Sequence, residues 1–333
     1  MAEQKPKFLA VLGYSGAFLF LFLVCAYLSF PYQRLRDYLV AQVNNSSRGP
    51  TRTNLHIGEL SPAPLLGVHL YDVRYQVMET RRPENGARTL SVDNLTVKAS
   101  LFSLLFGDLA LDFESEVGAG TLEGSYEKTA SWSKVQAELE NLDLAKLGLG
   151  SYLSFPVEGV ATGQVEMTVP EDIGDSTGAI DLRVAQLALG DGKAAVKVPG
   201  MRGEGFIVER INAGTLKLNT TIEEGNAKLD TFEAKGPDLN LHGNGSVRLM
   251  SPASRSRLNL ALEFKFSEDY KNRDDRTKAL FELMGFRPEL KRATTPDGAL
   301  RFELKGFLQR PRGVPAGNPS RGPRPPRPPR PKR

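Results

Sequence analysis

Few residues in this chain are spaced for chemistry. Its three histidines, His56, His69 and His242, stand far apart. None has a partner at i+4, and none belongs to the H-E-x-x-H pattern that places two imidazoles on one helix face around zinc. They read as strand or surface histidines. Cys25 is the single cysteine, so no disulfide within the chain and no cysteine metal cluster can form. Neither a G-x-S-x-G nucleophile turn nor a G-x-x-x-x-G-K-[ST] phosphate loop occurs. Gly118-Ala-Gly120 and Gly203-Glu-Gly205 resemble fragments of a dinucleotide fingerprint. Both lack its full spacing and its strand-to-helix setting, so hairpin turns account for them better. The acidic pairs Asp274-Asp275 and Glu223-Glu224 read as a solvated helix face and a turn. The expectation is a protein that is not an enzyme and takes no cofactor and no metal.

The most regular local pattern lies near the C-terminus, in Gly322-Pro-Arg-Pro-Pro-Arg-Pro-Pro-Arg330. In polyproline II, with three residues per turn, Arg324, Arg327 and Arg330 stack on one face about 9 Å apart. Such a row suits an anionic surface. A solubilising tail of biased composition is the plainer alternative. From Arg310 to Arg333 there are eight basic residues and no acidic one. The formal charge of +4 comes from 43 basic and 39 acidic residues, so the rest of the chain holds 35 against 39, or −4. The basic balance therefore belongs to the tail, and the body has no nucleic-acid character.

The elements that must position anything else begin with an uncharged apolar run, Phe8 to Phe30. As a helix its 23 residues extend about 34 Å, against roughly 30 Å of bilayer hydrocarbon. A cleaved signal has a shorter apolar region and a small-x-small exit. This run leaves through Ser29, Phe30 and Pro31, and Val24 before Cys25 does not fit a lipoprotein signal. An uncleaved anchor is expected. Lys5 and Lys7 before it nearly balance Arg34 and Arg36 after it, so orientation is not decided by charge. A short cytoplasmic N-terminus and an exported body are the expectation.

After Pro31, Tyr32–Val43 reads as a short amphipathic helix, ended by the polar Asn44–Arg52 segment. From Leu55 the hydrophobic period becomes 2. Leu216, Leu218, Thr220 and Ile222 alternate with polar residues, as do Leu258, Leu260, Leu262, Phe264 and Phe266, Val157–Val169, and Leu300, Phe302 and Leu304. Glycine turns such as Glu224-Gly225-Asn226 separate these runs. An all-β antiparallel body over 53–309 follows, interrupted by short helices at Leu101–Phe106 and Glu268–Met284, with a disordered tail over 310–333. The organisation expected is thus 1–7 cytoplasmic, 8–30 transmembrane, 31–52 juxtamembrane, then body and tail.

Particular segments sharpen this outline. Leu55–Tyr71, L-H-I-G-E-L-S-P-A-P-L-L-G-V-H-L-Y, and the closing Pro296–Phe307, P-D-G-A-L-R-F-E-L-K-G-F, are similar to type II secretion system protein GspN. Val92–Phe106 looks like the strand and short helix of AsmA-like envelope proteins, and Gly214–Leu249 resembles their later G-x-L-x-L hairpins. The resemblance runs from about Phe8 to Arg312 and carries no catalytic residues. It implies a bacterial inner-membrane protein, single-pass, with a periplasmic β-rich body, accessory to type II protein secretion and partnered by other secretion proteins. AsmA-like relatives imply an alternative: a curved sheet whose groove holds phospholipid. Leu216, Leu218, Ile222, Leu258, Leu260, Leu262, Phe264 and Phe266 are the candidate lining. Alternation alone is equally that of a closed core.

Overall fold

The computed structural model describes residues 14, 16–18, 21–22, 25, 27, 29–46, 51–64, 67–79, 88–153, 155–193, 195–196, 206–207, 209–286, 288–308 and 310–316. The chain segments expected as cytoplasmic terminus and membrane span therefore lie largely outside the described residues. Those of the apolar run that are described are helical up to Ser29. Among the described residues, no helix is long and apolar enough to cross a membrane. The arginines of the tail repeat, Arg324, Arg327 and Arg330, lie outside the described residues.

Fourteen strands form one antiparallel sheet laid down almost wholly in chain order. Helix α1 (Tyr32–Ser46) precedes β1 (Thr51–Ala63), β2 (Gly67–Glu79) and β3 (Arg88–Ala99). Helix α2 (Leu101–Leu105) leads to β4 (Leu109–Val117), β5 (Gly120–Lys128) and β6 (Trp132–Asp143). Helices α3 (Leu144–Leu147) and α4 (Leu149–Leu153) follow, then β7 (Val157–Pro170) and β8 (Thr177–Leu189). A two-stranded excursion, β9 (Ala195–Val196) with β10 (Phe206–Ile207), stands apart from the ladder. The sheet resumes with β11 (Ile211–Glu223), β12 (Asn226–Lys235), β13 (Leu239–Arg248) and β14 (Arg257–Phe266). Helices α5 (Glu268–Lys271), α6 (Asp275–Phe286) and α7 (Pro288–Ala293) precede β15 (Leu300–Phe307) and β16 (Arg310–Pro315).

Register divides the sheet into two chemically distinct faces. One cross-strand row runs Pro62, Val68, Val97, Phe113, Gly124, Ala137 and Val165 from β1 to β7. It continues as Ile180, Thr220, Leu229, Gly245, Leu260, Leu304 and Gly313 to β16. The adjacent row on the opposite face reads Ser61, His69, Thr96, Glu114, Glu123, Glu138, Gln164 and Asp181. Successive residues of a strand point to opposite sides, so the period of 2 along these rows gives one apolar and one wet face, with bulges resetting it in β6–β7, β7–β8, β8–β11, β11–β12 and β12–β13.

Because the chain is a meander, every strand end lies at one of two ends of the sheet. The near end carries the β1–β2, β7–β8, β11–β12, β13–β14 and β15–β16 connections and α2. The far end carries the β4–β5 and β12–β13 turns and helices α3 to α7. The apolar face is covered in two places. Tyr32, Leu35, Leu39 and Val40 of α1 pack on Ile57, Leu60 and Leu70. At the far end a second cluster runs from Val117 and Leu142 through Val184 and Ile211 to Leu239 and Tyr270.

The structure corrects three sequence expectations. Arg310–Pro315 is a paired edge strand, so the irregular tail does not start at Arg310. Its prolines hid it, yet proline is tolerated where a strand has one free side. The helix expected over Glu268–Met284 is two helices, interrupted at Asn272–Asp274, and it passes Gly285 to end at Phe286. Helices α3 and α4 have no counterpart in the expected elements.

Candidate functional site

The eight candidate residues come from two strands, β11 and β14, that do not pair with each other. The register through β12 and β13 joins them. Leu216 faces Ala234, Ala234 faces Leu241, and Leu241 faces Phe264. Ile222 likewise connects through Ala227 and Val247 to Leu258. Leu218 neighbours Phe232, and Gly243 neighbours Leu262. A Cβ built on Gly243 would lie 2.4 Å from the Phe232 ring, so the absent side chain is what gives that ring its space. All eight therefore share one face. Ile222 and Leu258 are buried, whereas Leu216, Leu218, Leu260, Leu262, Phe264 and Phe266 are half-buried.

Phe266 leads the face into its far-end cover. Its ring stacks on Tyr270 at 5.7 Å and meets Phe281 edge-on at 5.1 Å. Tyr270 is 1% exposed, and its hydroxyl donates to the Glu209 carbonyl at 2.9 Å. Burial pushes its phenol well above the ordinary range. The Arg273 guanidinium lies 4.9 Å above the same ring and donates to the Arg210 carbonyl and to Asp238. Asp238 is buried and also accepts from Asn212 N–H at 2.8 Å. One carboxylate thus ties the β12–β13 turn to β11 and to the segment after α5. A charge at that depth is tolerable because it is paired and fully hydrogen-bonded.

A second cover repeats the plan over the β4–β5 turn. Asp143 caps α3, accepting from Ala145 N–H at 2.9 Å and Lys146 N–H at 3.2 Å. Gly148 ends that helix at φ 81°, and a Cβ there would lie 2.5 Å from the Thr89 carbonyl. Ser151 Oγ then accepts from Thr89 N–H at 2.8 Å, and Ser91 Oγ donates to the Lys146 carbonyl at 3.0 Å. In both covers a helix leaving one strand bonds back across a short hairpin to the strand before it. Sequence reasoning missed this pairing. Its local traces were Asp143 and Gly148 around α3 and Ser267 before α5.

The polar face carries the remaining candidates apart from one another. His69 Nδ1 contacts Thr96 Oγ1 at 2.9 Å, and His56 Nε2 is 3.8 Å from Asp72. His242 stands between Glu233 and Glu263 in register, far along the ladder. Among the described residues, no group of His, Cys, Asp and Glu is arranged to hold a metal. A depression of about 510 Å³ on this face is lined by Asp112, Glu114, Glu123, Glu138 and Glu166 with Lys98. Gly118 to Gly120 forms the β4–β5 turn, as expected from sequence.

Both sheet edges are blunted. On β1, Leu55 N–H donates to Asn44 Oδ1 at 2.7 Å, and Arg36 donates to the Gly58 carbonyl at 3.2 Å. On β16, Pro311 and Pro315 remove two backbone donors. Such edges resist pairing with another strand. Compared with known proteins, the chain matches no family model, no curated protein and no solved structure.

Proposed function

We propose that this chain is a non-enzymatic accessory component of type II protein secretion, anchored in the bacterial inner membrane by Phe8–Phe30. Its β body would act on the periplasmic side. The observation that carries the reading is the one-sided sheet that follows the apolar run after the single helix α1. The GspN-like segments Leu55–Tyr71 and Pro296–Phe307 fall on β1–β2 and on the lead into β15, near its two edges. With both edges blunted, docking of secretion proteins falls to the polar face and its turns. Deleting the gene in its host tests this. Folded secretion substrates should accumulate in the periplasm while export across the inner membrane continues. An unchanged secretome overturns the reading.

A second reading is favoured by a specific observation. Six of the eight residues of the β11–β14 apolar patch are half-buried, and α3 to α7 lie only at the far end of the sheet. A phospholipid acyl chain is a chemically suitable cover for such a face, as in the AsmA-like proteins that Val92–Phe106 resembles. Mass spectrometry of the purified chain under native conditions decides it. A stoichiometric phospholipid supports the reading, and a lipid-free chain removes its basis.

A further inference from the structure

We propose that α2 is a second membrane contact, its Phe102–Leu105–Phe106 face inserting at the boundary between headgroups and acyl chains. The inference rests on the reading of Phe8–Phe30 as a membrane anchor. Phe102, Leu105 and Phe106 are 78%, 79% and 79% exposed. Spaced i, i+3 and i+4, they fall on one side of the helical turn. Ser103 Oγ bonds within the turn to Ser100 Oγ at 3.2 Å and is half-buried, whereas Phe102, Leu105 and Phe106 are exposed. For Phe102, Leu105 and Phe106 this departs from the usual amphipathic arrangement, in which apolar side chains face the body.

Position says what covers them. The Tyr27 hydroxyl, near the end of the apolar run, donates to the Ala63 carbonyl at 2.6 Å. Ala63 faces Gly67, and Gly67 faces Lys98, three residues before α2 begins. Two ladder steps are about 10 Å. The run and α2 therefore emerge at the same end of the same three strands. Where the run ends, Tyr32 meets Tyr27 edge-on at 6.2 Å and Phe30 at 5.1 Å, and Phe30 is 46% exposed. Aromatic residues of this kind collect at membrane interfaces. A surface-lying helix buries its apolar face about 5–10 Å into that zone, and a bilayer holding the run would lie within reach of α2.

The test uses the full chain with Cys25→Ser, which frees labelling chemistry because Cys25 is the sole cysteine. An environment-sensitive fluorophore is attached at Leu105→Cys or, separately, Phe102→Cys, with Glu123→Cys on the polar face as reference. The proteins are reconstituted in phosphatidylethanolamine–phosphatidylglycerol vesicles with and without acyl-chain nitroxide. Blue-shifted emission at 105 and 102, quenched several-fold more than at 123, is expected. Water-like emission at both positions in protein that floats with the vesicles overturns the inference and leaves the anchor standing. A chain that fails to float overturns the anchor and the inference together. A blue shift that grows with protein loading but ignores the nitroxide assigns the patch to a second copy, and also overturns it.

Discussion

The two ends of the sheet solve the same problem differently. A one-sided sheet must keep water from its apolar face wherever the strands stop. At the far end helices do this: Leu144 of α3 and Tyr270 of α5 are buried in one cluster with Leu142, Val184, Ala213 and Leu239 of the strands, and Asp238 with Arg273 secures the cover. At the near end α1 covers β1 and β2, and elsewhere turn backbone does it. Gly225 N–H donates to the Ser176 carbonyl at 2.9 Å, Leu249 to Gly225 at 2.7 Å and Leu308 to Ser256 at 2.8 Å. Ser176 and Ser256 are fully buried within those turns. The β3–β4 connection departs from both solutions, because Phe102, Leu105 and Phe106 are left exposed there. The chain thus buries apolar side chains at both ends, under α1 beside Tyr27 and under α3 to α6 at the far end, yet leaves Phe102, Leu105 and Phe106 exposed at the β3–β4 connection.

Breaking the far-end latch should have the largest effect. Arg273→Ala strands the Asp238 carboxylate and is expected to cost about 2–3 kcal/mol, at the low end for a buried pair because Arg273 is 39% exposed. Arg312→Ala on the edge strand should stay within about 0.5 kcal/mol. Urea denaturation measures both, and hydrogen exchange should place the loss at α5, α6 and the β12–β13 turn. The two faces can be separated one residue apart. Leu258→Ala should cost about 2–3 kcal/mol as a buried cavity, whereas Asn259→Ala should lie within about 0.5 kcal/mol. Equal effects would contradict the assignment of faces.

Smaller changes sharpen the description of the covers. Gly148→Ala combines positive φ with a close approach to Thr89 and should lose about 1–2 kcal/mol. Loss of protection at Thr89 without change at α6 would locate it. Asp274 caps α6, accepting from Thr277 N–H at 2.8 Å and from its hydroxyl at 2.9 Å. Those bonds hold its carboxyl below the ordinary 3.8. A lowered folded value means its contribution is complete above 3.8 and is lost as pH falls through the folded value. Asp274→Asn should therefore lower the melting temperature at neutral pH and flatten its acid limb, with the two proteins converging in acid.

Legibility followed chemistry at each position. The alternation in Leu216–Ile222 and Leu258–Phe266 was enough for strands and for the face they share, because side-chain period alone decides it. It could not show that Ala234 and Leu241 connect them, since pairing partners depend on the whole meander. Helix α3 was hidden because Leu144–Leu147 is one turn, too short for a 3.6-residue pattern, and Gly148 and Gly150 resemble hairpin punctuation. Strand β16 was hidden by the composition it shares with the tail. The latch was invisible because Asp238, Tyr270 and Arg273 meet only after β13 and β14 have paired.

If the apolar run and α2 both enter the membrane, the near end of β3 faces the bilayer and the far end stands away from it. Energy transfer from a donor at Phe106→Cys or Lys146→Cys to an acceptor on lipid headgroups tests it in the reconstituted full chain. These positions lie at opposite ends of β3, whose 12 residues extend about 40 Å. Strong transfer from 106 and weak transfer from 146 is predicted. Equal transfer from the two, or stronger transfer from 146, would contradict the claim.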